Sequence, residues 1–519
     1  MKKMSITRRN YKSNLTSYKF FSSTKYEKNT KFRGEEFYKY HHEQYVDKVH
    51  LRPDLYLKDN EDKHAHDNRL KRNMPFVYSN EVKNLEELKA CPLTLVNVKN
   101  TNNESFGVAT FNPYSLITAR VISTNALFPV NINFFIERIK NSLLWRNKII
   151  NGEKKVKRYN TTLGIATHTL DDISIEKTKV ITKGDDVRMN PSVGIPRAQP
   201  NDHASLGIYK NNTNAHCIET DLDSNMCYRL INSEGDNIPG LIIDRYDKYI
   251  SIQHLTVGME LLSCNINEAI IELLNPKAII FRNDNKERLN EKLEIYKKVV
   301  YGKLPEQVML TENECFFLIN LMNSPNTGWF FNRRNLRNLL SHYAYDKKIL
   351  DMFSYVGSFG IQCSKMGKAK KVVCVEKDNK FVQLAKESAY LNNLTNGVEF
   401  ICSDAITFLK NCNELFDIII LDPPNLIPKS KFIESGSKRY IQLINLAQNY
   451  ITANGLMLII FTTKLCSYQD HIKIINESFV HTNKTVKIVG QGRASPDNPA
   501  NLSLYLFADF YWFLLQLSY

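Results

Sequence analysis

From about residue 335, short apolar runs of strand length recur along the chain, separated by longer stretches whose apolar positions repeat every three or four residues. The runs are Ile349–Met352, Lys371–Val375, Val398–Cys402, Phe416–Leu421 and Leu456–Phe461, and the helical stretches cover 359–367, 378–392, 404–411, 437–450 and 468–479. Strand-length runs alternating with amphipathic helices predict an open parallel sheet with helices on both faces. A closing antiparallel pair is expected near 485–490 and 502–508. The aromatic-rich run Phe507–Leu517 reads as a last strand or a core segment.

Upstream the period changes. Leu93–Val98, Phe106–Phe111 and Leu116–Ile122 alternate with period two, and Pro75–Ser79 is an extended apolar start. Short strands spaced this closely predict a small β-barrel or sandwich. Phe134–Lys148 reads as an amphipathic helix with Phe135, Ile139, Leu143 or Leu144, and Trp145 on one stripe, and with Arg138, Lys140, Arg146 and Lys148 solvated. Residues 151–226 keep no period and are rich in Asn, Asp, Thr, Lys and Pro. They bury too little apolar surface to offset ordering and read as a low-complexity insertion. From Cys227 a strand, the hairpin Gly240–Arg245/Tyr249–His254, a helix over Met259–Leu274 and strands at Ala278–Arg282 and Cys315–Leu321 form a small α+β module. The expected divisions are 1–68 (irregular, transit-like), 69–150 (β-rich), 151–226 (insertion), 227–333 (α+β) and 334–519 (α/β).

Composition narrows the class. The chain has 519 residues and is 43% hydrophobic, which suits several globular domains. No apolar run reaches the roughly 18 residues that span a bilayer. The net charge of +15 fits either a polyanionic partner such as nucleic acid or codon drift towards Lys and Asn. Ten cysteines without a C-x-x-C pair argue against a zinc knuckle and for reduced thiols. Residues 1–26 hold seven Lys/Arg, eight Ser/Thr and no acid, with Arg8, Arg9, Lys12 and Lys19 among aromatic positions. That is the pattern of a mitochondrial or plastid transit segment, or of a disordered basic tail. His41, His42, His64 and His66 are irregularly spaced and read as solvated loop rather than a metal site.

Ligands of an open α/β sheet sit outside the carboxyl ends of its strands, at the point where strand order reverses. Four strand ends carry chemistry. Asp351 is followed by a turn with Gly357 and Gly360 and then a helix, which lets backbone approach a ligand. Glu376 ends the second strand, 19 residues after Gly357, and suits two ribose hydroxyls. Asp404 follows the third, where a carboxylate accepts from an exocyclic amine. Asp422-Pro423-Pro424-Asn425 ends the fourth.

This series resembles a class I S-adenosylmethionine (SAM) methyltransferase. The stretch 69–508 is similar to the bacterial large-subunit rRNA cytosine-5 methyltransferase I family, which joins a PUA-type RNA-binding domain, a central α+β domain and a Rossmann-like methyltransferase domain. The likeness rests on Arg69–Ser79, Ala119-Arg120-Val121, Glu234–Arg245, Thr327-Gly328-Trp329-Phe330 with Arg334, Phe353–Phe359 and Asp422-Pro423-Pro424. It implies that Phe353, Ser354, Tyr355, Gly357, Ser358, Phe359 and Gly360 cradle the methionine part of SAM. It further implies that Glu376 holds the ribose and Asp404 the adenine, with Asp422 near the transferable methyl and Arg334 near the cofactor. The Asp-Gln that precedes this arginine in the family is Asn332-Arg333 here.

Methylating cytosine C5 needs a thiolate that adds at C6. The family places that cysteine two residues after the phenylalanine ending the fifth strand. Here that position is Thr463, and Cys466 lies three further on. Either the loop is remodelled and Cys466 serves as nucleophile, or the covalent route is absent. Transfer to a base nitrogen is the alternative, although Asn425 stands where such enzymes carry a stacking aromatic. A third reading is a SAM-binding ribosome-assembly factor without transfer. Cys363, Cys374 and Cys402 read as structural. The expected partner is rRNA held at an unstacked base, with Lys429, Lys431, Lys438 and Arg439 near its phosphates. No metal and no membrane are expected, and a homodimer is compatible. The expected address is a mitochondrial or plastid matrix, with the cytoplasm as alternative.

Overall fold

The computed structural model describes residues 46–58, 69–90, 95–162, 226–507 and 510–518. The basic segment 1–26, the histidines at 41, 42, 64 and 66, and residues 163–225 of the expected insertion lie outside the described residues.

The first unit is a five-stranded sheet. Its spatial order is Asp54–Tyr56, Leu95–Lys99, Ser105–Phe111, Ile117–Ser123, Phe76–Tyr78. The first of these strands falls inside 1–68, which was expected to be irregular throughout. It pairs parallel to Leu95–Lys99 and buries Leu55 and Leu57 completely or nearly so. Two alternating leucines are too short a period to stand out from polar flanks, and only the neighbouring strand gives them a core. Arg52 anchors the segment by pairing with Asp47 and donating to the Phe128 carbonyl (2.8 Å).

The helix that follows runs Ile132–Thr162, beyond the expected Lys148 and into the expected insertion. Phe134, Phe135, Ile139 and Leu143 are its buried side, whereas Leu144 and Trp145 are exposed. Arg146, expected on the solvated side, is fully buried and grips Asp236 with two bonds of 2.5 and 2.7 Å. A buried arginine at helical spacing from Leu143 reads like a surface residue until its partner is known.

The middle unit is a second five-stranded sheet with spatial order Tyr296–Gly302, Ala278–Asn283, Tyr249–His254, Leu241–Tyr246, Cys227–Asn232. The expected helix over 259–274 is two helices, Val257–Leu261 and Ser263–Leu274. Their apolar side and the buried face of the long helix form one core with this sheet. The hairpin Val308–Glu312/Cys315–Ile319 bridges to the last unit.

The last unit is a seven-stranded sheet. Its strands are β1 (Lys348–Met352), β2 (Lys371–Glu376), β3 (Val398–Cys402), β4 (Phe416–Leu421), β5 (Ile451–Phe461), β6 (Thr485–Gly492) and β7 (Tyr511–Ser518). The order is β3-β2-β1-β4-β5-β7-β6. β1 to β5 run parallel, and β7 runs antiparallel to both β5 and β6. The closing strand is therefore 511–518, as the aromatic run suggested, while Leu502–Phe507 is a 3-10 turn. Phe513, Leu514 and Leu515 are all buried, so this strand is covered on both faces and shows no alternation to read. Helices α1 (Arg334–Ser341), α2 (Ser358–Lys365), α3 (Asn379–Leu391), α4 (Ala405–Asn411), α5 (Ile433–Ala447) and α6 (Tyr468–Phe479) flank the sheet. The strand order reverses between β1 and β4, which places the ligand crevice outside their carboxyl ends.

Gly360 shows how closely α2 approaches this sheet. A Cβ there would lie 2.4 Å from Cys374 Sγ and 2.9 Å from Val372 Cγ1. Gly360→Ala should therefore lower stability by about 1–3 kcal/mol through overpacking, read as an earlier midpoint in urea unfolding. An unchanged midpoint would show that the helix can move away freely.

Candidate active site

The turn after β1 is held in an uncommon backbone conformation. Phe353 (φ 61°), Tyr355 (φ 53°) and Gly357 (φ 72°) all lie in the left-handed region. Only glycine adopts this freely, and a bulky residue there is strained by roughly 1–3 kcal/mol. The surroundings enforce it. The Ser354 amide donates to the Val375 carbonyl (3.1 Å) and the Gly357 amide to the Ser354 carbonyl (2.8 Å). The Tyr355 hydroxyl is buried between Ser324 Oγ (2.7 Å) and the Gly328 carbonyl (2.9 Å). Gly357 then caps α2, with Ser358 as its first residue. The Phe359 side chain turns into the core between α1 and the sheet, so its part in a cradle is limited to backbone.

Three carboxyl groups converge here, each in a different state. Asp351 is 1% exposed; its Oδ2 accepts from the Gly360 amide (3.0 Å), while Oδ1 is buried without a protein partner. Burial pushes this carboxyl up to about 8, helped by the charges of Asp422 and Glu376 and opposed by the Gly360 N–H. Glu376 is half-buried and accepts three backbone amides: Tyr355 at 3.0 Å, Lys377 at 2.8 Å and Asp378 at 3.0 Å. Asp422 is held by Arg333 in a two-point pair, Nε to Oδ2 at 2.6 Å and Nη2 to Oδ1 at 2.8 Å. The Arg333 guanidinium lies over the rings of Phe330 (4.6 Å) and Phe510 (5.0 Å). At the third strand end, exposed Asp404 caps α4 through Oδ1, accepting from Ile406 (3.0 Å) and Thr407 (3.3 Å).

Arg334 is not in this crevice. Its guanidinium faces Asp497 (3.3 Å), and it also donates to the Cys227 carbonyl. The 3-10 turn Phe331–Arg333 ends at Arg334 and sends consecutive side chains in different directions. Arg333 thus reaches the site that the sequence assigned to its neighbour. The sequence signal was present, as two adjacent arginines, but their directions depend on this turn.

The loop after β5 answers for Thr463 and Cys466. Thr463 is buried; its hydroxyl donates to the Ile427 carbonyl (3.1 Å) and accepts from the Leu465 amide (3.2 Å). It pins this loop to the one that follows Asp422. Cys466 is 5% exposed and packs in the apolar cluster that also holds Ile427, Tyr440 and Phe461. Burial, and then the charge of Asp470, raise its thiol above the ordinary range. That favours the neutral thiol over the thiolate a nucleophile requires. Cys363 and Cys374 are buried core thiols and Cys402 is exposed.

A cofactor with a cationic centre and a nucleoside fits these residues. The strained turn, the orphaned Asp351 oxygen and the fixed Glu376 carboxylate lie at one switch point. Fold and strand-end residues together define a class I methyltransferase domain behind a PUA-like domain. The PUA-like domain family matches residues 63–124, and the TRM5/TYW2 methyltransferase domain family matches residues 312–439.

Relatives add detail to that class. The chain is 28% identical over 277 residues to ribosomal RNA large subunit methyltransferase I of Klebsiella pneumoniae strain 342, covering 52% of this chain and 69% of that one. It is 28% identical over 287 residues to the protein of the same name from Erwinia tasmaniensis, covering 54% and 72%. These matches bear out the resemblance carried by the motifs. A proposed SAM-dependent methyltransferase from Streptococcus mutans superposes with a TM-score of 0.61 at 18% identity, over 89% of this chain and 100% of that one. A proposed methyltransferase solved with SAH superposes at 0.62 and 17% identity, over 90% and 100%. At those identities the likeness is one of fold.

The neutral Asp351 has a consequence for stability. Between its ordinary value of 3.8 and about 8, the folded chain binds more protons at this site than the unfolded chain does. Stability from this group therefore falls as pH rises through that window, by at most about 1.4 kcal/mol per unit. Asp351→Asn removes the slope. Without cofactor, the stability of the variant relative to the natural chain should rise from pH 5 to pH 8 in denaturant titrations. A difference independent of pH would mean that Asp351 is charged throughout.

Proposed function

We propose that this chain methylates a base of large-subunit ribosomal RNA, using SAM as donor. The carrying observation is the ordered set of strand-end carboxyls at the switch point of a methyltransferase fold. The relatives' name supports the substrate, and a PUA-like domain suits RNA. When bound, SAM supplies an electrophilic methyl on a sulfonium. Residues Phe353–Gly360 would hold its methionine part, Glu376 the two ribose hydroxyls and Asp404 the adenine amine. The exposed Lys429 and Lys431 follow the Asp422 loop and suit phosphate contact, as does Arg439. Lys438 already pairs with Glu434 (2.6 Å) on the surface.

The acceptor atom divides two readings. For cytosine C5, Cys466 would have to leave its apolar cluster, give its proton to solvent and add at C6; C5 would then take the methyl, and loss of the C5 proton to a base would break the S–C6 bond and release the thiolate. It stands in the loop from which the family draws its cysteine, and this remains the preferred product. For a base nitrogen, no thiolate is needed. Asn425 counts against that reading: where such enzymes carry a stacking aromatic it places an exposed carboxamide, whose Oδ1 already accepts from the Ile427 amide (2.9 Å). In both readings the Arg333–Asp422 pair keeps this loop in place beside the crevice.

The basic, acid-free first 26 residues support an organellar rRNA as the target. Depleting the protein and analysing nucleosides of organellar and cytosolic large-subunit rRNA separately tests each part. Loss of 5-methylcytidine from organellar rRNA is expected. Loss of an N-methylated base would move the assignment to nitrogen, and no change in either rRNA would refute the transferase reading.

Cys466→Ser separates the routes in the purified protein. On the C5 route, transfer should fall by at least about 10³-fold, since a serine hydroxyl is far too basic to replace the thiolate, while SAM binding by calorimetry stays unchanged. Full activity in this variant would remove Cys466 from the mechanism.

A further inference from the structure

The connection between β6 and β7, residues 493–501, leaves the sheet and reaches every unit of the chain. Ser495 donates to the Asn332 carbonyl through its amide (3.0 Å) and its hydroxyl (3.1 Å), and accepts from the Asn335 amide (2.9 Å). The Pro496 carbonyl accepts from the Trp145 indole (3.2 Å). The Asp497 carbonyl accepts from Arg146 (3.0 Å), and its carboxylate faces Arg334 (3.3 Å). The Pro499 carbonyl accepts from the Asn232 amide group (2.8 Å), and a Cβ on Gly235 would lie only 1.8 Å from that carbonyl oxygen. Asn501 donates to the Asn73 carbonyl (3.0 Å), and Ser503 donates to the Arg72 carbonyl (2.5 Å).

Connections between strands usually run solvated over the surface. Here Ser495, Asp497 and Asn498 are 3%, 1% and 7% exposed. The buried Arg146, which carries Asp497 on one side, holds Asp236 of the middle unit on the other. Three consecutive residues then join this connection to the crevice. Asn332 is held by Ser495, Arg333 holds Asp422, and Arg334 meets Asp497.

We propose that residues 493–501 form a clasp that fixes the PUA-like domain at a set orientation to the strand-end crevice, with Asp497 as its positioning residue. A structured RNA can then engage both surfaces at once. This rests on the RNA reading above. Two contacts held at a fixed span make the second one intramolecular, and the gain disappears when the span is loose. A clasp of this kind acts on long RNA only; a short stem-loop that reaches just the crevice does not use it.

The test uses the full chain with Asp497→Asn and, separately, Asn501→Ala. The second variant removes an exposed bond to Asn73 together with the bond Asn501 Oδ1 accepts from the Ser503 amide (2.9 Å), and stays informative if the first fails to fold. Probes attached at Lys89 and Lys386 report the distance between the PUA-like and catalytic domains. In both variants that distribution should broaden, while SAM affinity stays as in the natural chain. KM for a long rRNA fragment should rise on the order of tenfold, with kcat unchanged and with KM for a short target stem-loop unchanged. An unchanged distance distribution, or equal losses on long and short RNA, would overturn the proposal. A natural chain that methylates neither RNA would instead refute the RNA reading, and the distance distribution alone would then decide the clasp.

Discussion

Three carboxyl groups meet at the ends of β1, β2 and β4, and they cannot all carry an uncompensated charge in a partly buried crevice. The structure resolves this conflict differently for each. Asp351 gives up its charge, Glu376 is stabilised by three backbone amides, and Asp422 is matched by Arg333. Each solution recruits a different part of the fold: the close approach of α2 at Gly360, the strained turn at Tyr355, and the turn that precedes α1. The backbone strain at Phe353 and Tyr355 is tolerated because Tyr355 is anchored by Ser324 and Gly328 of the preceding unit. The site is thus a property of two units rather than of the catalytic sheet alone.

The same dependence appears beneath the site. Glu312 of the bridging hairpin is fully buried against Arg337 of α1, at 2.6 and 3.0 Å, and accepts from the Trp329 indole at 3.0 Å. Two nearby arginines hold this carboxylate below its ordinary range in spite of burial. Removing one partner of such a pair leaves a bare charge in the core, which typically costs about 3–5 kcal/mol. Trp329 and Phe330, at the junction, also contact Tyr355. Packing, ion pairing and the strained turn after β1 therefore form one continuous assembly.

Against this background the loop after β5 is notable for being tied down. Thr463 bonds Ile427, and Cys466 sits in the core formed by α5, α6 and the sheet. A cysteine that acts in base chemistry needs exposure and a depressed pKa; this one has neither. Substrate entry would have to free it, or the reaction proceeds without it.

Much of the architecture was legible in the residues because it follows from local periodicity. Apolar runs alternating with amphipathic stretches specified a parallel α/β sheet. The acids at 351, 376, 404 and 422 were readable because strand ends in such a sheet share one edge. What remained hidden depends on contacts between distant segments. Asp54–Tyr56 becomes a strand only beside Leu95–Lys99, and β7 loses its alternation because both of its faces are covered. Arg146 is buried only because Asp236 and Asp497 meet it there. Arg333 rather than Arg334 reaches Asp422 because one 3-10 turn sets their directions. Sequence thus determined which residue types lie at which strand ends. Charge state, direction and partnership were decided by tertiary structure, since burial and electrostatic pairing are set by neighbours far away along the chain.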